Sequence, residues 1–118
     1  MKSLRNVVRL IGRLGADPNY KEFTTGKGLS RVNLATSETY LKENGERVTE
    51  TNWHSLVCWG KLAQTASKYW KKGQELAIEG KLTTRSYVDK DGVQKEKSEI
   101  VVSDFIFLGS KKNSSEVN

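Results

Sequence analysis

Residues 49–88, TETNWHSLVCWGKLAQTASKYWKKGQELAIEGKLTTRSYV, contain a strand, a helix and a second strand in direct succession. In residues 49–59, apolar side chains occur at both odd and even positions, which is typical of a strand with neighbours on both sides. Residues 61–72 have an apolar stripe at helical spacing, and Gly73 follows as a terminating residue. The stripe consists of Leu62, Ala63, Ala66, Tyr69 and Trp70. Residues 75–88 alternate as a strand again. The apolar side of that strand consists of Leu76, Ile78 and Leu82.

Further strands flank this stretch on both sides. Residues 4–14 and 29–40 before it are rich in Val, Leu and Ile, and residues 95–108 after it return as a long strand. Asn44-Gly45 is the strongest short hairpin signal, because both residues tolerate positive φ angles. The order is strand, strand, strand, helix, strand, strand. This order predicts an all-β OB-fold, a five-stranded β-barrel with one α-helix between strands 3 and 4.

Length and composition limit the alternatives. A chain of 118 residues suffices for one compact core, so we predict a single domain over residues 1–108. Residues 109–118 are polar and predict a short disordered tail. No run is long and apolar enough to span a membrane. One cysteine and one histidine allow neither an internal disulfide nor a usual Cys/His zinc site, and the net charge of +6 suggests a polyanionic partner.

The first sixteen residues allow two interpretations. They contain four basic residues and no acid, which resembles a mitochondrial presequence. The apolar residues of the same segment are typical of a barrel strand that continues into folded sequence. We favour the strand.

Five segments of the chain resemble a known family. They are residues 10–18 (LIGRLGADP), 34–38 (LATSE), 51–54 (TNWH), 59–63 (WGKLA) and 79–85 (EGKLTTR). Their order and spacing resemble those of the bacterial and mitochondrial single-stranded-DNA-binding proteins over about residues 4–108. The resemblance implies an OB barrel that stacks DNA bases on four aromatic positions. Matched by motif, these positions are Tyr40, Trp53, Trp59 and Tyr87, whereas family members often have Trp, Trp, Phe and Trp.

The strand pattern gives an independent expectation for these rings. Trp53 and Trp59 share one face of a strand, six residues or about 20 Å apart, which suits two points along an extended nucleic acid. Tyr87 lies on the polar side of its strand. A core position stays open as an alternative for Trp53, Trp59 and Tyr87, most of all for Trp59 because Val57 beside it is apolar. Tyr40 shares parity with the apolar side of its strand, so either a bulge intervenes or the strand extends past the barrel.

Basic residues close to the rings are candidates for phosphate contacts. The four selected residues are Arg31, Lys61, Lys81 and Arg85. Each could equally be a solvated surface charge, but their interleaving with aromatic residues favours binding of single strands. Trp70, on the helical stripe, is expected in the core or an interface, and Cys58 is expected to be a small buried hydrophobe.

The resemblance also implies an assembly. The family's equivalent of His54 lies at a subunit interface, which implies a homotetramer; a strand histidine without that role is the alternative. Many bacterial members end in an acidic, phenylalanine-containing tip that recruits repair and replication enzymes. Residues 111–118 contain one acid and no aromatic residue, so recruitment through such a tip is doubtful. We expect a bacterial cytoplasmic, nucleoid-associated protein, with the mitochondrial matrix as the alternative.

Other classes of function are less consistent with the sequence. Asp89 and Asp91 are the closest acidic pair, and they lack the remaining ligands of a calcium loop. The glycines lack the spacing of a P-loop or dinucleotide site, so we predict no enzyme, no metal and no cofactor. An OB module that joins proteins, or one that binds single-stranded RNA, is the alternative function.

Overall fold

A computed structural model describes residues 5–25 and 27–108 of the chain. The strands are β1 (Val8–Leu14), β2 (Asn19–Thr24), β3 (Lys27–Leu41), β4 (Arg47–Trp59), β5 (Glu75–Val88) and β6 (Gln94–Leu108). The helix α1 (Gly60–Tyr69) connects β4 to β5. The predicted tail, residues 109–118, lies outside the described residues, as do residues 1–4. No helix of the described ranges is long and apolar enough to cross a membrane.

Five of the strands close into a barrel. They follow the order β1-β5-β6-β4-β3, and β1 returns to β3 through the pairs Arg13↔Ala35 and Leu14↔Leu34. The contact between β4 and β6 is parallel, at Leu56↔Ile100, whereas the other pairs are antiparallel. With α1 between the third and fourth barrel strands, this topology confirms the predicted OB-fold.

The strand β2 is an addition to the predicted order. It pairs with the first residues of β3 and lies at the edge of the sheet, outside the closed barrel. Local pattern does not predict β2, because residues 19–24 are mostly polar. Only Tyr20 of this strand packs against the core, so backbone pairing with β3 rather than burial defines β2.

Closure of the barrel depends on a close backbone approach at Gly12. A Cβ atom at Gly12 would collide with the carbonyl oxygen of Ala35 on β3. Because glycine has no side chain, β1 can cross β3 at this point. Gly12 therefore lies at the seam of the barrel.

The core fills the barrel and extends to α1. It consists of Leu14, Val32, Leu34, Leu56, Cys58, Ala63, Ala66, Trp70, Leu76, Ile78, Ile100 and Val102. Ala63 and Ala66 present small surfaces to the barrel, so the helix can pack closely. The Ser30 hydroxyl donates a hydrogen bond of 2.8 Å to the Ala63 carbonyl and joins the helix to β3. Trp70 is fully buried, edge-on to Phe105 with ring centroids 5.1 Å apart, which confirms its predicted core position.

Two local predictions are wrong. The helix ends at Tyr69 instead of residue 72, because Trp70 adopts an extended backbone (φ −82°, ψ 131°) that directs its ring into the core. Tyr69 is consequently exposed, although the stripe predicts it as apolar contact surface. Leu82 is also exposed, since it lies beyond the core positions Leu76 and Ile78 of β5.

Candidate nucleic-acid interface

Four strands of the barrel form one continuous outer surface. The register partners Arg31↔Val57, Val57↔Val101 and Lys81↔Val101 place one row of residues across β3, β4, β6 and β5. Because register partners project to the same side of a sheet, this row marks the side that faces away from the core. We call this surface the open face. The side chains of Arg31, Trp53, Trp59, Lys81, Arg85, Tyr87 and Glu99 lie on this face.

Trp53 and Trp59 project from the open face of β4. Their exposed fractions are 60% and 50%, so neither ring belongs to the core. The alternative of a buried Trp59 is therefore excluded by the structure. Val57, between them on the same side, is 2% exposed and forms the floor of the surface. Two large apolar rings left in water on one strand are typical of an interaction site.

The ring of Trp53 lies directly over Gly15. A Cβ atom built at Gly15 would be 2.5 Å from Cζ3 of the indole. The Gly15 amide donates a hydrogen bond of 3.0 Å to the carbonyl of Asn33 on β3, which fixes the glycine beneath the ring. The absence of a side chain at this position thus determines how closely Trp53 approaches the barrel.

Phe23 of β2 lies beside Trp59. The ring centroids are 6.4 Å apart at an interplanar angle of 35°, and Phe23 is also exposed. Local pattern does not identify Phe23, because it does not predict β2 as a strand. Two aromatic residues, Tyr20 and Phe23, in an otherwise polar segment are the signal that could have identified it.

Tyr87 lies on β5, at the other end of the open face. The guanidinium carbon of Arg85 is 5.7 Å from the centroid of the Tyr87 ring, within the range of a cation–π contact. Tyr87 pairs in register with Lys95, which adds a further cation at this end. Aromatic and basic side chains are therefore adjacent on β5, as the sequence pattern predicts.

Glu99 of β6 connects two of the predicted phosphate contacts. Arg85 Nε donates a hydrogen bond of 3.2 Å to Glu99 Oε1, and Arg31 Nε forms an ion pair of 3.4 Å with Glu99 Oε2. The carboxylate is almost completely buried, whereas both arginines are partly exposed. Local pattern does not identify Glu99, because the neighbours of β6 follow only from the barrel topology.

The remaining selected residues differ in position. Lys61 follows Trp59 in the first turn of α1, and Lys81 lies on the open face; both are exposed.

Tyr40 is exposed, but β3 and β4 pair from Leu29 to Leu41 without a register shift. The strands therefore extend past the barrel, and Tyr40 lies on the opposite side of the sheet from Trp53. The structure does not bring Tyr40 together with the other three rings.

A family model described as the single-strand binding protein family matches residues 5–108. The chain belongs to this family. It is 46% identical over 107 residues to single-stranded DNA-binding protein 1 of Chlorobaculum tepidum, covering 90% of this chain and 66% of that protein. It is 39% identical over 110 residues to the single-stranded DNA-binding protein of Neisseria meningitidis, covering 93% and 63%. The chain thus spans slightly less than two thirds of the length of these bacterial relatives.

Solved structures of similar proteins agree with the barrel. The SSB of Plasmodium falciparum, in a complex with ssDNA, has a TM-score of 0.81 and 33% identity, covering 92% of this chain and 98% of that one. A deletion mutant of the single-stranded DNA binding protein from Thermus aquaticus has a TM-score of 0.76 and 27% identity, covering 90% and 51%. The family assignment from five motifs is confirmed.

His54 and Cys58 lie on the inner side of β4. His54 is half-buried, and its Nε2 is 2.9 Å from the Thr36 hydroxyl oxygen on β3. Cys58 is 1% exposed, and burial raises the pKa of its thiol to about 12. Its place in the core cluster confirms Cys58 as a small buried hydrophobe.

In the acidic pair of the β5–β6 turn, the carboxylate of Asp89 has a structural role. Hydrogen bonds from the backbone amides of Val93 and Asp91, together with Lys95 Nζ at 3.2 Å, lower the pKa of Asp89. Its carboxylate thereby shapes the turn. No group of three or more potential metal ligands occurs within residues 5–25 and 27–108.

Proposed function

We propose that this chain binds single-stranded DNA along the open face without strong sequence preference. The observation that supports this most directly is the row of exposed rings, Trp53, Trp59 and Tyr87, on one sheet surface with cations between them. Family membership and the similarity to an SSB in complex with ssDNA support the same conclusion.

The chemistry of the open face suits unpaired bases. Every base has a flat π face, so an exposed ring stacks on any base and contributes about 1–3 kcal/mol by alanine substitution. Phe23 extends this surface beside Trp59, where its ring provides further stacking area. In a duplex these base faces are occupied by neighbouring bases, so such a surface selects single strands.

The basic side chains supply the sequence-independent part of the affinity. We assign phosphate contacts to the four selected residues, Arg31, Lys61, Lys81 and Arg85. Each neutralised phosphate releases counterions, so log K should fall with log[salt] at a slope of about −0.7 per contact. The positive net charge of +6 favours association with any polyanion.

We extend the proposal to the biological role. Coating and protecting single strands during replication, recombination and repair fits a binder without sequence preference and without catalytic activity. The similarity to bacterial proteins supports a bacterial cytoplasmic location. The family resemblance supports two further points. It implies a homotetramer with His54 at a subunit interface. It also implies Tyr40 as a fourth stacking position, on the opposite side of the sheet from the open face.

Titration with oligo-dT tests the main proposal. Stacking should quench tryptophan fluorescence, the affinity should fall as salt rises, and light scattering on the free protein should give the mass of a tetramer. Unchanged fluorescence together with no gel shift at low salt would refute binding through the open face.

Two controls separate the alternatives. Stacking does not depend on the 2′-hydroxyl, so oligo-U and oligo-dT of equal length must be compared. Tighter binding of oligo-U would favour an RNA-binding role, and no affinity for either would favour a protein-joining module. Incubation of labelled oligonucleotide with Mg²⁺ should give no cleavage; turnover would contradict a purely binding role.

A further inference from the structure

We propose that Glu99 is a positioning residue of the nucleic-acid-binding surface, holding Arg31 and Arg85 in place for phosphate contacts. This inference rests on the proposed function of the open face. It assigns a binding role to an acidic residue on a surface whose expected ligand is a polyanion.

The geometry places Glu99 between the two arginines. Arg85 lies on β5, next to β6, whereas Arg31 lies on β3 and reaches Glu99 across β4. At about 4.8 Å between neighbouring strands, Arg31 covers roughly 10 Å of sheet to make this contact. Glu99 therefore determines where both guanidinium groups lie on the open face.

Burial of the Glu99 carboxylate favours its continued pairing with the two arginines. The Glu99 side chain is 6% exposed, and an isolated carboxylate in such a site would be strongly unfavourable. The two guanidinium groups compensate its charge, and the trio retains one net positive charge. A phosphate approaching from solvent cannot easily displace both arginines, because that would leave the buried carboxylate unpaired.

The contact leaves the arginines competent for binding. Each approaches Glu99 through Nε, and a guanidinium has four further N–H donors on its two Nη atoms. The two arginine side chains are 42% and 45% exposed, so the contact with Glu99 does not remove them from solvent. Ordering flexible arginines before binding reduces the entropy that is lost when a phosphate is bound.

Glu99 also acts on the aromatic end of the surface. Arg85, held at Glu99 Oε1, is the cation that lies over the Tyr87 ring. Releasing Arg85 would therefore free the neighbouring ring as well. Since Glu99 Oε2 has no hydrogen bond within the described residues and contacts Arg31 only as an ion pair, we expect the larger effect through Arg85.

The variant Glu99→Gln separates positioning from simple electrostatics. Removing a negative charge from a DNA-binding surface should by itself strengthen binding, whereas loss of positioning should weaken it. We expect oligo-dT affinity to fall about fivefold to tenfold at low salt. The salt slope should become shallower by up to about 1.4, the value for two phosphate contacts.

Glu96→Gln is the matched control. Glu96 is exposed on the same strand and pairs with Ser86, on the opposite side of the sheet from Glu99. The Glu96→Gln substitution removes the same charge, and the oligo-dT affinity of this variant should equal or slightly exceed that of the parent chain. Equal or tighter oligo-dT binding by folded Glu99→Gln would overturn the positioning role.

Further measurements keep the outcomes distinct. In an Arg31→Ala/Arg85→Ala background, Glu99→Gln should no longer weaken binding, because only the charge effect remains; a loss of affinity that persists in this background would contradict action through the arginines. If Glu99→Gln does not fold, Arg31→Lys and Arg85→Lys replace it, because they keep the charge but lose the Nε contact. Weaker binding by both supports the proposal, and unchanged binding overturns it. A parent chain that does not bind oligo-dT refutes the proposed function as a whole.

Discussion

The two sides of β4 place apolar side chains in opposite environments. On the inner side, Leu56 and Cys58 are buried in the core that also contains Trp70. On the outer side, Trp53 and Trp59 remain about half exposed to solvent. One strand thus contributes two side chains to the core that contains Trp70 and leaves two other tryptophans exposed on its outer side.

The two environments indicate two roles: buried side chains stabilise the fold, and exposed rings remain available for a ligand. Burying Trp70 removes a large apolar surface from water and stabilises the fold. Leaving Trp53 and Trp59 exposed forgoes that stabilisation, which is understandable where a ligand later covers the rings. Substitutions on the inner side should therefore change the free energy of unfolding, and substitutions on the outer side should change affinity.

Trp70→Ala should have the largest effect. Truncating a fully buried tryptophan leaves a cavity and should lower the free energy of unfolding by about 3–5 kcal/mol, measured by denaturant titration. Trp70→Phe is the control and should cost less, because the indole N–H has no hydrogen-bond partner among the described residues. A stable Trp70→Ala variant with weakened DNA binding would contradict the separation.

Trp53→Ala and Trp59→Ala should each weaken oligo-dT binding by about 1–3 kcal/mol through loss of one stacked base. Their unfolding midpoints should stay close to that of the parent chain, because both rings are already exposed. Tyr69→Ala is a suitable control, since Tyr69 is an exposed ring on α1, outside the open face. Unfolding of either tryptophan variant would assign that ring to the core.

Gly15→Ala should weaken binding about threefold to fivefold by displacing the Trp53 ring that lies over it. The measurement is a double-mutant cycle with Trp53→Ala. If the methyl group acts only through the indole, Gly15→Ala should have no additional effect once the ring is absent. Additive effects of the two substitutions would show that Gly15 acts by another route.

Cys58 should give the smallest effect. With a pKa raised from 9.0 to about 12, its thiol should not react with a thiol-specific reagent at pH 8 until the chain unfolds. Because the unfolded thiol ionises first, the stability contributed by burial should decline as pH rises from about 9 towards 12. Rapid labelling of the folded chain at pH 8 would place Cys58 at an accessible surface.

Most secondary structure is predictable from local pattern. Predicted strands at 29–40, 49–59, 75–88 and 95–108 agree closely with β3, β4, β5 and β6. The exceptions are the strand β2 and the C-terminal end of α1. Both depend on partners distant in sequence, namely the edge of β3 and the core site that receives Trp70.

The candidate site likewise contains residues that local pattern predicts and residues that it does not. The shared orientation of Trp53 and Trp59 follows from parity along one strand, because side chains alternate with a period of two. The positions of Phe23 and Glu99 do not follow from parity, because they depend on which strands become neighbours. Residue type alone would exclude Glu99 from a surface expected to bind a polyanion.

By itself, the sequence determined the five barrel strands, since alternation is local, the shared strand face of Trp53 and Trp59, and the family, through its five motifs. Only the tertiary structure decided that Trp59 is exposed, that Tyr40 lies on the opposite side of the sheet, and that Glu99 joins Arg31 to Arg85. The physical reason is that burial and ion pairing depend on the neighbours that barrel closure brings together, and those neighbours are remote in the chain.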